Sequence, residues 1–91
     1  MALVVCEVRE GLRAEEATVV VRDYRGDPEF LPIDRDFLTY EGNKNYLPIG
    51  IIHIDQAKKL ALIELPYEAD SGAHRMWVKL SHLKQDSEIV Q

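Results

Sequence analysis

The longest apolar stretch of the chain runs from residue 46 to residue 65, and its pattern predicts two strands joined by a polar turn. Residues 46–54 are rich in β-branched and aromatic side chains, which suit a pleated, half-buried surface. Pro48 and Gly50 disfavour a buried helix, because both residues penalise a helix interior. Residues 55–59 form the turn. Residues 60–65 return as the second strand, which Pro66 ends because it has no N–H to donate.

Alternation within the first of these strands is imperfect. Two apolar positions fall on the face opposite to the earlier ones: Ile52 and Ile54. We interpret Gly50 as a bulge that shifts the phase by one residue and brings both isoleucines into line with Leu47 and Ile49. A strand that is covered on both faces is the alternative.

Shorter segments before and after this pair also have strand patterns. They span residues 3–9, 17–23, 29–33, 37–40 and 75–79, with turn signals at residues 25–28 and 41–44. The inward positions should be Val4, Cys6, Val8, Val19, Val21, Met76, Val78 and Leu80. Val20 and Trp77 should face outward.

We expect five or six of these segments to form strands, which predicts an all-β fold, either a small antiparallel barrel or a sandwich. Ninety-one residues correspond to one domain. We assign residues 1–85 to that domain, with one helical turn at residues 81–83, and residues 86–91 to a frayed tail.

Residues 76–83, Met-Trp-Val-Lys-Leu-Ser-His-Leu, resemble the end of SH3-like domains. In that family a strand with an aromatic residue is followed by one helical turn and an aliphatic residue. Trp77, Val78 and Leu83 fit this pattern. Lys79 and His82 replace a proline and a tyrosine that help to form the family's groove for proline-rich peptides. The resemblance therefore implies a small SH3-like barrel and does not imply binding of proline-rich peptides.

Composition and charge narrow the classes of function. An apolar fraction of 46% suffices for one core, and no apolar run approaches the roughly 20 residues that span a bilayer. The net charge of −5, with acids and bases interspersed, disfavours binding to a phosphate backbone. Cys6 is the only cysteine, which excludes an internal disulfide. The first residues do not resemble a signal peptide, so we expect a reducing cytoplasm.

The residue types of two kinds of active site are present without the usual spacing. His53, His74 and His82 do not form the His-x3-5-His motif of zinc sites. Asp70, Ser71 and His74 are the types of a nucleophilic triad, but they lie too close together in one loop. We therefore expect no catalytic residue, metal or cofactor. A small metal-binding domain or metal-dependent enzyme remains an alternative, as does a nucleic-acid-binding barrel.

One segment combines a long loop with the residue types that dominate binding hot spots. Its candidate partner-binding residues are Tyr67, Glu68, Asp70, Arg75 and Trp77. Alternatively, Trp77 packs under residues 70–74 and caps the barrel, and Glu64 or Glu68 pairs with Arg75 or Lys79. The sequence thus favours a non-catalytic interaction or structural module that binds a protein partner or a second copy of itself and does not bind a membrane.

Overall fold

The computed structural model describes residues 2–85, with side chains to residue 84. Within that range the chain forms eight strands and two 3-10 turns, which confirms the all-β class. The strands are β1 (Ala2–Glu10), β2 (Glu16–Arg22), β3 (Pro28–Asp34), β4 (Thr39–Glu41), β5 (Lys44–Asp55), β6 (Leu60–Glu64), β7 (Arg75–Lys79) and β8 (Leu83–Gln85). The 3-10 turns are η1 (Arg35–Phe37) and η2 (Leu80–His82). The tail that we expected at residues 86–91 lies outside the described residues.

All the strand pairs are antiparallel, and they form one curled sheet that makes a half-barrel. The strand order is β3-β2-β1-β5-β6-β7, with β4 beside β5 and β8 beside β1. β1 is the central strand, because residues 2–6 pair with β5 while residues 7–10 pair with β2. Neither 3-10 turn, at three residues each, approaches the length or apolar character of a membrane-crossing helix.

The core lies on the concave face of this sheet and follows the predicted two-residue period. Its fully buried members come from every long strand: Val4, Val19, Val21, Leu31, Ile33, Leu47, Ile63 and Val78. Cys6 and Met76 join the same cluster, and Val8 and Leu80 pack against it from its rim. The structure therefore confirms the eight inward positions that were predicted for the shorter strands.

The bulge in β5 lies two residues beyond its predicted position. The register with β6 shifts at Ile52, whereas Gly50 stays in the ladder opposite Glu64. After the shift Ile54 lies opposite the buried Ala61 but remains 40% exposed, and Ile52 is 43% exposed. Both values correct the expectation that these isoleucines line up inward with Leu47 and Ile49. The bulge therefore arises because Ile52 has no partner in the ladder, and Gly50 does not cause it.

Val20 was wrongly placed on the solvent side, because it is only 1% exposed. Its cross-strand neighbours are Glu7 and Phe30. The Arg22 side chain donates from Nε to Glu7 Oε2 at 2.7 Å, and the Arg9 guanidinium lies 5.9 Å from the Phe30 ring centroid. Long side chains on the outer face cover the valine with their aliphatic parts. Alternation alone cannot reveal such a cover.

The outer edge of β3 has few hydrogen-bond donors. The carbonyl of Phe30 points away from β2 and accepts from the N–H of Asp70 at 2.8 Å. Residues two positions away on a strand turn their backbone groups to the same side. Pro28 and Pro32 therefore face this edge, where neither has an N–H to offer.

Three hydrogen bonds join the end strands of the half-barrel, and we call them the closing seam. They are Tyr24 N–H to Trp77 C=O (2.9 Å), Asp70 N–H to Phe30 C=O (2.8 Å) and Ser71 Oγ–H to Glu29 Oε1 (2.6 Å). Each bond links the β2–β3 hairpin with β7 or with the loop that precedes it. The seam therefore fixes the hairpin turn next to Trp77.

Candidate interaction surface

The outer face of the β5-β6-β7 sheet carries an apolar row. Leu62 lies opposite His53 on one side and opposite Trp77 on the other. The His53 and Trp77 rings approach edge to face, with their centroids 6.2 Å apart and their planes at 86°. Leu62 and Trp77 are half-buried, and His53 is exposed. The bulge at Ile52 creates this row, because it brings His53 onto the outer face.

A cleft opens beside the Trp77 indole. Its lining residues are Tyr24, Asp55, Lys58, Leu60 and Trp77. The Tyr24 wall depends on a tight turn at residues 23–27, in which Asp23 Oδ1 accepts the N–H groups of Arg25 and Asp27 at 2.8 and 2.9 Å. Gly26 supplies the positive φ of 90° that the turn requires. The closing seam then holds the turn against β7.

A second cleft continues from the first. Its lining residues are Lys58, Lys59, Leu60, Lys79, Leu80 and Ser81, so the two clefts share Lys58 and Leu60. Lys59 has a positive φ of 59°, and its carbonyl accepts from the N–H of Leu80 at 3.0 Å. That bond ties the β5–β6 turn to η2. We call the two adjoining clefts together the Trp77 groove.

Two of the five predicted contact residues lie on one strand face. Arg75 and Trp77 are two residues apart on β7, so both side chains point outward. Arg75 is exposed and lies opposite Glu64 in the ladder. The expected salt bridges from Glu64 or Glu68 to Arg75 or Lys79 do not occur among the ion pairs of residues 2–84.

The other three contact residues, Tyr67, Glu68 and Asp70, are exposed in the loop of residues 65–74. The Tyr67 ring contacts Phe37, with centroids 5.9 Å apart, whereas the Trp77 ring contacts His53. The loop is pinned by the buried Ala69, whose N–H donates to the carbonyl of Ala73 at 2.8 Å. The loop aromatic and the strand aromatic thus belong to separate clusters.

Sequence reasoning missed Tyr24, Lys58 and Leu60, which line the groove with Trp77. Residues 25–28 gave a clear turn signal, but no local pattern shows where a turn will dock. Leu60 lies on the face of β6 opposite to the buried Ala61 and Ile63. The groove depends on contacts between residues far apart in the chain, so no short motif could have indicated it.

The residues considered for nucleophilic chemistry have other partners. The Ser71 hydroxyl donates to Glu29, and His74 lines a shallow cleft elsewhere with Glu64 and Phe37. Burial raises the pKa of the Cys6 thiol to about 12, with a smaller contribution from the charge of Glu7, so the thiol stays protonated at neutral pH. Within residues 2–84, no three His, Cys, Asp or Glu side chains lie together as metal ligands would.

Comparison with known proteins finds no match to a family model, a curated protein or a solved structure.

Proposed function

We propose that this chain is a non-catalytic protein-interaction module that docks its partner on the outer face of the β5-β6-β7 sheet. The observation that carries the proposal is the position of Trp77. Its half-buried indole lies next to Leu62 and His53 and lines the Trp77 groove. A large aromatic side chain that is held in place at the surface loses little entropy when it is covered, and such residues dominate binding hot spots.

The architecture that we propose for the module is an SH3-like barrel. Trp77 lies in β7, one 3-10 turn follows, and Leu83 begins β8, as the resemblance of residues 76–83 implies. β8 pairs with β1, which supports a barrel whose last strand returns to its first. The only cysteine is a buried thiol, which suits a reducing compartment, and we keep the cytoplasm as the proposed location.

The test compares two aromatic truncations. Trp77→Ala should lower capture of a partner from cells of the source organism at least about tenfold, because hot-spot truncations cost about 2 kcal/mol or more. Tyr40→Ala is the matched control, since Tyr40 is 67% exposed on β4 and belongs to neither cleft. Quantitative mass spectrometry of the captured proteins gives the ratio. Thermal unfolding shows whether each variant keeps its fold.

If Trp77→Ala unfolds the domain, the indole serves the core, and the proposal then fails unless a second measurement supports the surface. A photo-crosslinker in place of the exposed His53 is then the independent measurement, because it leaves the indole intact. Cross-links to another protein would support the surface, and cross-links to a second copy would identify self-association. Sedimentation velocity over a range of concentrations separates those two outcomes.

A further inference from the structure

We propose that the segment recognised in the Trp77 groove is an acidic peptide that carries one apolar side chain. The inference rests on the proposed function, because it specifies the partner's chemistry at the same surface. It depends on two observations: the charges that surround the groove and the residues that form its walls.

Basic side chains concentrate at this site although the chain as a whole is acidic. Three of the eleven Lys and Arg residues line the groove: Lys58, Lys59 and Lys79. Within residues 2–84 the ion pairs engage Arg9, Arg22 and Lys84 instead. The three lysines of the groove are therefore open to carboxylates of a partner.

One carboxylate lines the groove against these three lysines. Asp55 lies in the first cleft, and its Oδ1 accepts the N–H of Lys58 at 3.0 Å. Asp23 and Asp27 lie in the neighbouring turn and attract Arg25 there. Among the residues that line the groove the cations outnumber the acids, so the local field favours a negative ligand. Charge complementarity of this kind steers encounter and selects among partners.

The walls of the groove explain the apolar part of the ligand. Leu60, Trp77 and Leu80 are half-buried, and Tyr24 is exposed at the rim. The Arg25 guanidinium lies 5.2 Å from the Tyr24 ring centroid, and its Nε donates to the Tyr24 hydroxyl at 2.9 Å. One aliphatic or aromatic side chain would cover this apolar floor while neighbouring carboxylates meet the cations.

An acidic peptide fits better than a nucleic acid because electrostatic interactions act over only a short distance in salt solution. A short peptide in the groove responds mainly to charges within about 8–10 Å, the screening length at physiological salt. A polynucleotide places phosphates beyond the groove, against a chain whose net charge is −5.

The chain supplies its own reporter, because Trp77 is its only tryptophan. The probes are synthetic peptides of about ten residues, which extend over roughly 33 Å. One has a central leucine flanked by glutamates, a second replaces the glutamates by glutamines, and a third replaces the leucine by serine. A thymidine oligonucleotide of similar length is the fourth probe. We expect the first peptide to change Trp77 fluorescence at the lowest concentration and to lose affinity as salt rises.

Charge reversal localises the effect. Lys58→Glu and Lys79→Glu should each weaken the acidic peptide about tenfold or more, because each turns an attraction into a repulsion at the ligand. Lys44→Glu is the matched control, since Lys44 is exposed at the start of β5 beside β4. It changes the net charge equally and should alter affinity less than about twofold.

Four results would overturn the inference: no binding of the acidic leucine peptide, equal binding of the glutamine peptide, an equal loss from Lys44→Glu, or tighter binding of the oligonucleotide than of any peptide. Its failure is distinguishable from that of the proposed function. If the acidic peptide fails while Trp77→Ala still loses the native partner, the surface stands and only its charge preference was wrong.

Discussion

The backbone N–H of Tyr24 donates to the carbonyl of Trp77 at 2.9 Å and so joins the turn of the β2–β3 hairpin to the last long strand. This bond makes Tyr24 a wall of the Trp77 groove. The surface that we propose for docking therefore depends on the geometry of a hairpin turn as well as on the sheet beneath it.

Weakening that turn should loosen the groove. Asp23→Ala removes the carboxylate that accepts two backbone N–H groups, and we expect the free energy of unfolding to fall by about 1–2 kcal/mol. The emission maximum of Trp77 should move to longer wavelength as water reaches the indole. Urea unfolding followed by fluorescence measures both effects.

Asp27→Ala is the control for Asp23→Ala, because it removes an equal charge from the same turn without removing the acceptor of those two bonds. Similar losses from both variants would show that the side-chain hydrogen bonds of Asp23 do not hold the groove.

The ring contact between His53 and Trp77 predicts that the histidine shields the edge of the indole from water. His53→Ala should therefore move the Trp77 emission maximum to longer wavelength. His74→Ala, in the loop before β7, is the control and should leave the emission unchanged. An unchanged emission after His53→Ala would contradict the bulge-dependent placement of this histidine.

Because Val20 is buried, a polar side chain at this position should lower the stability of the fold. The alternation along β2 alone would place the position in solvent. Val20→Thr keeps the shape of the side chain but buries a hydroxyl, and we expect it to lower the free energy of unfolding by about 1–3 kcal/mol. Val5→Thr, at a half-buried outer position of β1, should cost less. Chemical denaturation of both variants measures the two losses of stability. Equal, negligible losses would mean that the outer cover of β2 is open in solution.

Cys6 predicts a loss of stability in alkali. Its pKa is raised from 9.0 to about 12 in the folded chain, chiefly because it is buried. The thiolate therefore favours the unfolded chain. The contribution is complete below pH 9 and declines as the pH rises towards 12. Stability should fall less steeply over this range in Cys6→Ala than in the natural chain, because other groups titrate equally in both. If urea unfolding shows the same decline of stability with pH in both chains, the prediction is contradicted.

Much of the architecture could be predicted because strands and turns leave local signals. The two-residue period identified the inward side chains, and Gly42 and Asn43 adopt the positive φ angles of a tight hairpin where a turn was expected. Long-range contacts left no such signal. Val20 is covered by neighbours on β1 and β3, and the bulge shows only as a phase change with several possible origins.

The proposed docking surface was predictable only in part for the same reason. Trp77 stood out because it alternates with inward residues on β7. Tyr24 and Lys58 reach it through the folding of two separate turns, and Tyr67 joins Phe37 instead. Residue types indicated a candidate contact surface around Trp77, but the residues that lie beside the indole are set by the closure of the sheet.

Pro28 and Pro32 leave the outer margin of β3 with almost nothing to donate, and one of its carbonyls is already taken by Asp70. Extension of a sheet from one molecule into the next needs donors and acceptors in alternation. This margin therefore disfavours strand-to-strand pairing of copies into fibres. Copies of this protein that associate should therefore meet at surfaces other than this margin.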